Sequence, residues 1–196
     1  MEMELQLTER QEKLLEFVKE QHGEQKRKYT GEPYWTHPVE VATLLQKYLG
    51  DEFYYKEIAL CHDLLEDTKC SGLNLIDRLL FIGYNHTEAE IITSGVLDLT
   101  DRFTKEDYPS WNRSNRKSAE ADRLFRICSR AKTIKCADLI HNTSSIVEHD
   151  PNFAKIYLKE KEQMVGSLQG AHIGIYIDVC YSLRRAQLQL ESIEIT

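Results

Sequence analysis

Ile58-Ala59-Leu60-Cys61-His62-Asp63-Leu64-Leu65-Glu66-Asp67-Thr68 is the stretch on which the reading of this chain turns. Its apolar residues recur at helical rather than alternating spacing, which predicts a helix running from Tyr54 to Thr68. Each residue turns a helix by about 100°, so His62 and Glu66 lie one turn apart on one side, as do Asp63 and Asp67. Four ionisable groups then crowd one helical face beside residues that favour burial. Carboxylates that close repel one another unless a cation sits among them. Charged side chains are seldom buried without a partner or a metal. A solvated helix face is the plainer alternative, and the mid-helix position of the motif speaks against it.

Outward from this stretch the helical period persists. Thr8 with Gln11 reads as a capping box for a helix that carries Leu14, Leu15 and Val18 on one face and stops near His22-Gly23. A basic turn, Lys26-Arg27-Lys28, leads into a loop at Gly31-Glu32-Pro33-Tyr34, and His37-Pro38 opens a second helix. Further helices are expected over 73–82, from a Thr87/Glu90 cap to Leu99, and over 114–129, 131–148 and 152–168. The last, over 173–191, spaces Ile175, Val179, Leu183, Ala186 and Leu190 as a single stripe. Residues 100–113 read as a long, lid-like loop. No segment alternates with period two, so the expected class is all-α, a single helical bundle.

Composition agrees. The chain has 196 residues, enough for one domain, and only 9 Gly and 4 Pro, which disfavours a turn-rich β fold. A net charge of −7 makes it a poor ligand for duplex nucleic acid, whose binding is led by phosphate neutralisation. The five cysteines show no C-x-x-C pair, the first residues carry no signal-like apolar run, and no stretch approaches the ~18 apolar residues of a membrane span. A reduced, cytoplasmic protein is expected, with no membrane partner. Cys61 and Cys136 neighbour the charged motifs and read as buried apolar residues.

Two further residues bear on a metal. His37, at a helix start, is either an imidazole ligand or a structural histidine. Asp138 interrupts the apolar run Ile134-Lys135-Cys136-Ala137-Asp138-Leu139-Ile140, either as a ligand or as a carboxylate paired with Lys135. Two imidazoles and two carboxylates together suit a borderline divalent ion with open positions. Calcium and magnesium sites use less nitrogen, and structural zinc uses thiolates.

The set His37…His62-Asp63…Asp138 resembles the H…HD…D signature of the HD-domain metal-dependent phosphohydrolases, an all-α superfamily. Three blocks are similar to the hydrolase domain of the RelA/SpoT homologues and small alarmone hydrolases. They are Gly31-Glu32-Pro33-Tyr34…His37-Pro38…Val41-Ala42, His62-Asp63-x-x-Glu66-Asp67-Thr68, and Ile134-Lys135-x-Ala137-Asp138-x-x-His141-Asn142. The resemblance covers about residues 8–168. It implies one HD-type domain over 1–196, one metal held by His37, His62, Asp63 and Asp138, usually Mn²⁺ with other divalent ions acceptable, and action of Glu66 and Asp67 on the attacking water. Spacing does not decide which of those two is the base. It also implies contacts to the nucleotide from Arg27, Lys28, Asn142 and Ser145. Leu139 departs from the arginine usual in alarmone hydrolases, and Gly95-Val96-Leu97-Asp98-Leu99-Thr100 only loosely echoes their Gly-Val-Thr-Lys segment. Arg113, Arg116 and Lys117 form either a phosphate grip or a solvated helix start.

The expected activity is metal-dependent removal of pyrophosphate from the 3′ position of guanosine tetra- or pentaphosphate. The alternatives are an HD phosphohydrolase acting on NADPH or a nucleoside phosphate, and a non-catalytic HD module that binds a nucleotide. The partner is a phosphorylated nucleotide in each case, and the oligomeric state is open.

Overall fold

A computed structural model describes residues 4–50 and 52–194. Two compact units divide the chain, Met1–Thr100 and Asp101–Thr196. The first holds α1 (Glu9–His22), α2 (Thr36–Leu49), α3 (Tyr55–Cys61), α4 (Leu64–Asp67), α5 (Gly72–Ile82) and α6 (His86–Leu99). The second holds α7 (Arg113–Leu124), α8 (Ser129–Thr143), α9 (Ile146–His149), α10 (Pro151–Ser167) and α11 (Ile173–Glu194). Among the described residues there is no strand, and a lone bridge joins Lys26 to Pro33. The class is all-α, as the sequence predicts.

In the first unit the caps set the register. Thr8 accepts from the Gln11 amide while Gln11 Oε1 takes the Thr8 N–H at 2.9 Å, which closes the capping box of α1. Gly23, at φ 49°, ends that helix. The start of α6 differs from expectation. Asn85 and Glu88 form the box, two residues ahead of Thr87 and Glu90. Both pairs satisfy the pattern, and the earlier one gains a further ligand, because Glu88 also receives Arg10 at 3.1 Å.

The core of this unit is built on α3, where Ile58, Ala59, Leu60 and Cys61 are all fully buried. Leu14 and Val18 of α1, Val41, Ala42 and Leu45 of α2, and Ile92 and Val96 of α6 pack around it. Gly95 permits the α3–α6 approach, since a Cβ there would stand 2.5 Å from Ile58 Cδ1. The expected helix over 54–68 is broken. α3 ends at Cys61, α4 starts at Leu64, and His62 and Asp63 fill the turn between them. The Ala59 carbonyl accepts from the His62 imidazole at 2.7 Å and the His62 amide at 3.4 Å, in place of the Asp63 amide of a regular helix.

In the second unit α8 packs against α10 and α11. The stripe read from the sequence faces inward: Ile175, Val179, Leu183, Ala186 and Leu190 are all buried, against Ala131, Ile134, Ala137 and Leu139 of α8. The helix expected over 131–148 stops at Thr143, and α9 follows as a separate turn. The long loop is tied down. Buried Glu120 accepts from the amides of Arg102 (3.0 Å) and Phe103 (3.3 Å), and Phe103, Tyr108 and Trp111 cluster with centroids 4.9–5.9 Å apart. Arg113 makes a two-point pair with Glu160 at 2.6 and 2.8 Å, Lys117 pairs with Asp101 at 3.0 Å, and Arg116 donates to the Trp111 carbonyl. No helix among the described residues is long and apolar enough to cross a membrane.

Candidate functional site

The site lies at the break between α3 and α4. His62 stands at the end of α3 and is 2 % exposed; His37, in the first turn of α2, is 1 % exposed. Asp63 Oδ1 lies 3.2 Å from His62 Nε2, and its Oδ2 lies 3.5 Å from His37 Nε2. The two imidazoles meet edge to face, centroids 5.1 Å apart. One ligand atom from each residue falls within a 4.8 Å cluster.

This donor set fits a metal. A carbonyl can only accept, so the 2.7 Å contact to Ala59 places the His62 proton on Nδ1. In the neutral ring Nε2 then points a lone pair at a carboxylate oxygen, a repulsive arrangement that a cation relieves. Ligands about 2.0–2.2 Å from one ion stand roughly 3–3.5 Å apart, close to the separations seen. The bond from Nδ1 to a backbone carbonyl is also the usual outer support of a metal-binding imidazole.

Tyr34 links this cluster to the acidic turn. Its hydroxyl donates to Asp63 Oδ2 at 2.9 Å and lies near enough to the Asp67 carboxylate to lower its pKa. Burial first, then the charge of Asp63, holds the phenol well above its ordinary value, so it remains a donor. The Asp67 carboxyl is raised, chiefly by desolvation and by Asp63, against the lowering effects of Tyr34, His22 and His62. Glu66 is exposed on the same turn. His22, at the end of α1, stacks on Tyr34 at 4.7 Å and is buried; its Nδ1 meets Gln25 at 2.9 Å, and its Nε2 has no hydrogen-bond partner among the described residues.

The basic turn is shaped by backbone bonds. Arg27 N–H donates to Glu32 O at 2.9 Å, and Tyr34 N–H to Gln25 O at 2.8 Å. Gly31, at φ 73°, makes the tight return. The Arg27 guanidinium therefore sits 5.7 Å over the Tyr34 ring, next to the candidate site, while exposed Lys28 reaches Tyr29 at 3.1 Å.

The remaining expected residues lie in the second unit. Asp138 is buried; its Oδ2 pairs with Lys135 at 3.0 Å and its Oδ1 receives Asn142 Nδ2 at 2.5 Å. The Lys135 pairing considered from the sequence is thus present. Ser145 stands at the start of α9, its carbonyl accepting from His149. Cys61 and Cys136 are fully buried, and burial pushes the Cys136 thiol up to about 12. Tyr34 and His22 carry no assigned role in the sequence reading. Both flank the basic turn, but their convergence depends on how that turn folds back.

Two buried histidines and a part-exposed aspartate thus cluster within an all-α frame. No family model matches the chain. A guanosine-3′,5′-bis(diphosphate) 3′-pyrophosphohydrolase of Aquifex aeolicus is 52% identical over 63 residues, 32% of this chain and 9% of the relative. A probable enzyme of the same name from Mycoplasma pneumoniae is 29% identical over 174 residues, 84% of this chain and 22% of the relative. A GTP pyrophosphokinase rsh of Brucella ovis is 31% identical over 136 residues, 66% of this chain and 16% of the relative. The chain therefore spans less than a quarter of the length of these curated relatives. The solved structure of a metazoan ortholog of SpoT, described as hydrolysing ppGpp and acting in starvation responses, shares the fold. It aligns with a TM-score of 0.74 at 22% identity, over 92% of this chain and 97% of the other. By matched sequence the chain is similar to these RelA/SpoT-type enzymes, and by fold to the metazoan SpoT ortholog.

Proposed function

We propose that this protein is a metal-dependent phosphohydrolase that releases pyrophosphate from the 3′ position of guanosine 3′,5′-bis(diphosphate). The observation that carries this reading is the juxtaposition of His37, His62 and Asp63 with Asp67 around the single hydroxyl of Tyr34. The names of the matched relatives support the choice of nucleotide.

His37, His62 and Asp63 would hold the ion, taken here as Mn²⁺. The part of Asp138 as a further ligand, and those of Asn142 and Ser145 toward the nucleotide, rest on the resemblance. A divalent ion so held supplies Lewis-acid polarisation of a phosphoryl oxygen and acidifies water. Asp67 is the proton acceptor: its carboxyl is raised toward working pH and its lone pairs are oriented by Tyr34, the two properties a general base needs. Glu66, exposed one residue away, orients the same water. As the water oxygen bonds to phosphorus, Asp67 takes its proton, the bond from the 3′ oxygen to phosphorus breaks, the 3′ oxygen takes up a proton from solvent to become a hydroxyl, and pyrophosphate leaves. Arg27, held over Tyr34, meets the anionic substrate, and Lys28 adds charge to the entrance. Five unpaired cysteines suit a reducing, cytoplasmic setting.

The test is turnover by Mn²⁺-loaded protein on a panel of guanosine tetraphosphate, NADPH and nucleoside monophosphates, followed by pyrophosphate or phosphate release. Preference for guanosine tetraphosphate, lost in Asp63→Ala, is expected. Faster turnover of NADPH or a monophosphate would replace the substrate, and metal binding without any turnover would reduce the protein to a binding module.

A further inference from the structure

The second unit carries a polar cleft of about 540 Å³ between the end of α8 and α11. Ile140 and Thr143 line it from α8, and Asp178, Tyr181, Arg185 and Ala186 line it from α11. Its size lies within the range of small-ligand sites. None of these residues has a part in the hydrolysis proposed above.

Two observations mark the cleft as a place for a ligand rather than a gap in packing. Thr143 is 2% exposed, and its hydroxyl has no hydrogen-bond partner among the described residues. Thr133 of the same helix instead donates to the Ser129 carbonyl, one turn back, at 2.8 Å, the ordinary resort of a helical threonine. A buried hydroxyl left unpaired is disfavoured, and a polar group brought into the cleft satisfies it. Arg185 is the second. Its neighbour Arg184 reaches Glu191 at 3.9 Å, whereas exposed Arg185 has no carboxylate within ion-pair distance among the described residues. It is the one cation of the lining. A single guanidinium matches one carboxylate, while a multiply charged phosphate calls for further cations.

The opposite charge is placed at a definite spacing. Asp178 precedes Arg185 by seven residues, two helical turns or about 10.5 Å along α11, with Tyr181 between them. A carboxylate accepts at about four lone-pair positions, so Asp178 can take an ammonium in addition to its contacts within the fold. An extended peptide advances ~3.3–3.6 Å per residue, so about three residues span the same distance. Ile140, Ala186 and the Tyr181 ring add apolar surface for its side chains.

We infer that this cleft binds a short zwitterionic peptide of about three residues, its carboxylate on Arg185, its ammonium on Asp178 and a peptide group on the Thr143 hydroxyl. The inference concerns the second unit alone and stands whether or not the chain hydrolyses the nucleotide proposed above.

Calorimetric titration of trialanine into the full chain, stripped of metal by chelation and dialysis, tests it without any turnover. Saturable binding is expected, weakened roughly tenfold or more when the peptide is amidated at its carboxylate or acetylated at its amine, and to the same degree in Arg185→Gln. Thr143→Val keeps the side chain's shape and removes its hydroxyl. It should bind trialanine roughly three- to tenfold more weakly and melt no lower than the parent, which separates lost recognition from misfolding. Absence of saturable trialanine binding by the parent, equal binding of the amidated peptide, or parental binding by a folded Arg185→Gln overturns the inference. Tighter binding of inorganic phosphate than of trialanine also overturns it, in favour of an oxyanion site.

Discussion

Tyr34→Phe isolates one atom of the proposed machinery. The ring keeps its stack on His22, 4.7 Å between centroids, and its place beneath Arg27, so the core is left intact. What disappears is one donor, which Asp63 accepts at 2.9 Å and which lies near Asp67. A hydroxyl has one proton, so the loss is that of one hydrogen bond to a charged group, about 1.5–3 kcal/mol. If Tyr34 orients the reacting carboxylate, that becomes a roughly 10- to 150-fold fall in kcat/KM. The pH profile should move as well. If Asp67 is the base as proposed, activity requires it ionised and is lost as pH falls through its pKa, which is already raised. The Tyr34 hydroxyl lowers that value, so its removal raises it further and shifts the acid limb to higher pH. Pyrophosphate release by Mn²⁺-loaded protein from pH 5 to 9, with Mn²⁺ affinity and melting temperature measured in parallel, is the assay. A folded Tyr34→Phe protein with parental kcat/KM and an unmoved acid limb would refute the positioning role.

Other expectations follow from the same geometry. Asp63→Ala should lower Mn²⁺ affinity by roughly 100-fold or more, because the only oxygen donor of the cluster is lost, while the metal-free protein stays folded; calorimetry with circular dichroism checks both. Gly95→Ala places a Cβ 2.5 Å from Ile58 Cδ1 and should cost about 1–3 kcal/mol by overpacking, restored in good part by adding Ile58→Val, which removes that methyl. At pH 8 a thiol reagent should modify exposed Cys128 and Cys180 quickly and buried Cys61 and Cys136 only on unfolding.

The elements that were legible in the sequence are those whose signals are local. The Thr8 box, the glycine after His22 and the five-residue stripe of α11 each depend on residues within a few turns, and each forms as read. The α6 cap shows the limit of such signals. Thr87/Glu90 and Asn85/Glu88 are equivalent locally, and the choice turns on Arg10, a residue 78 positions from Glu88. The acidic motif was legible as chemistry because ionisable residues inside an apolar run are rare enough to demand a partner. The members of the candidate cluster in the first unit, His37, His62 and Asp63, were all among the expected ligands.

The helix break was not legible, although the two motif residues His62 and Asp63 occupy it. Leu60-Cys61-His62-Asp63-Leu64-Leu65 has no glycine or proline, so local propensity favours continuation. A continuous helix would also set His62 and Asp63 about 100° apart on the face shared with Glu66 and Asp67, and both residues keep right-handed helical dihedrals across the break. In that turn the Ala59 carbonyl accepts from the His62 ring, and the Asp63 carboxylate stands 3.2 Å from that ring and 3.5 Å from His37.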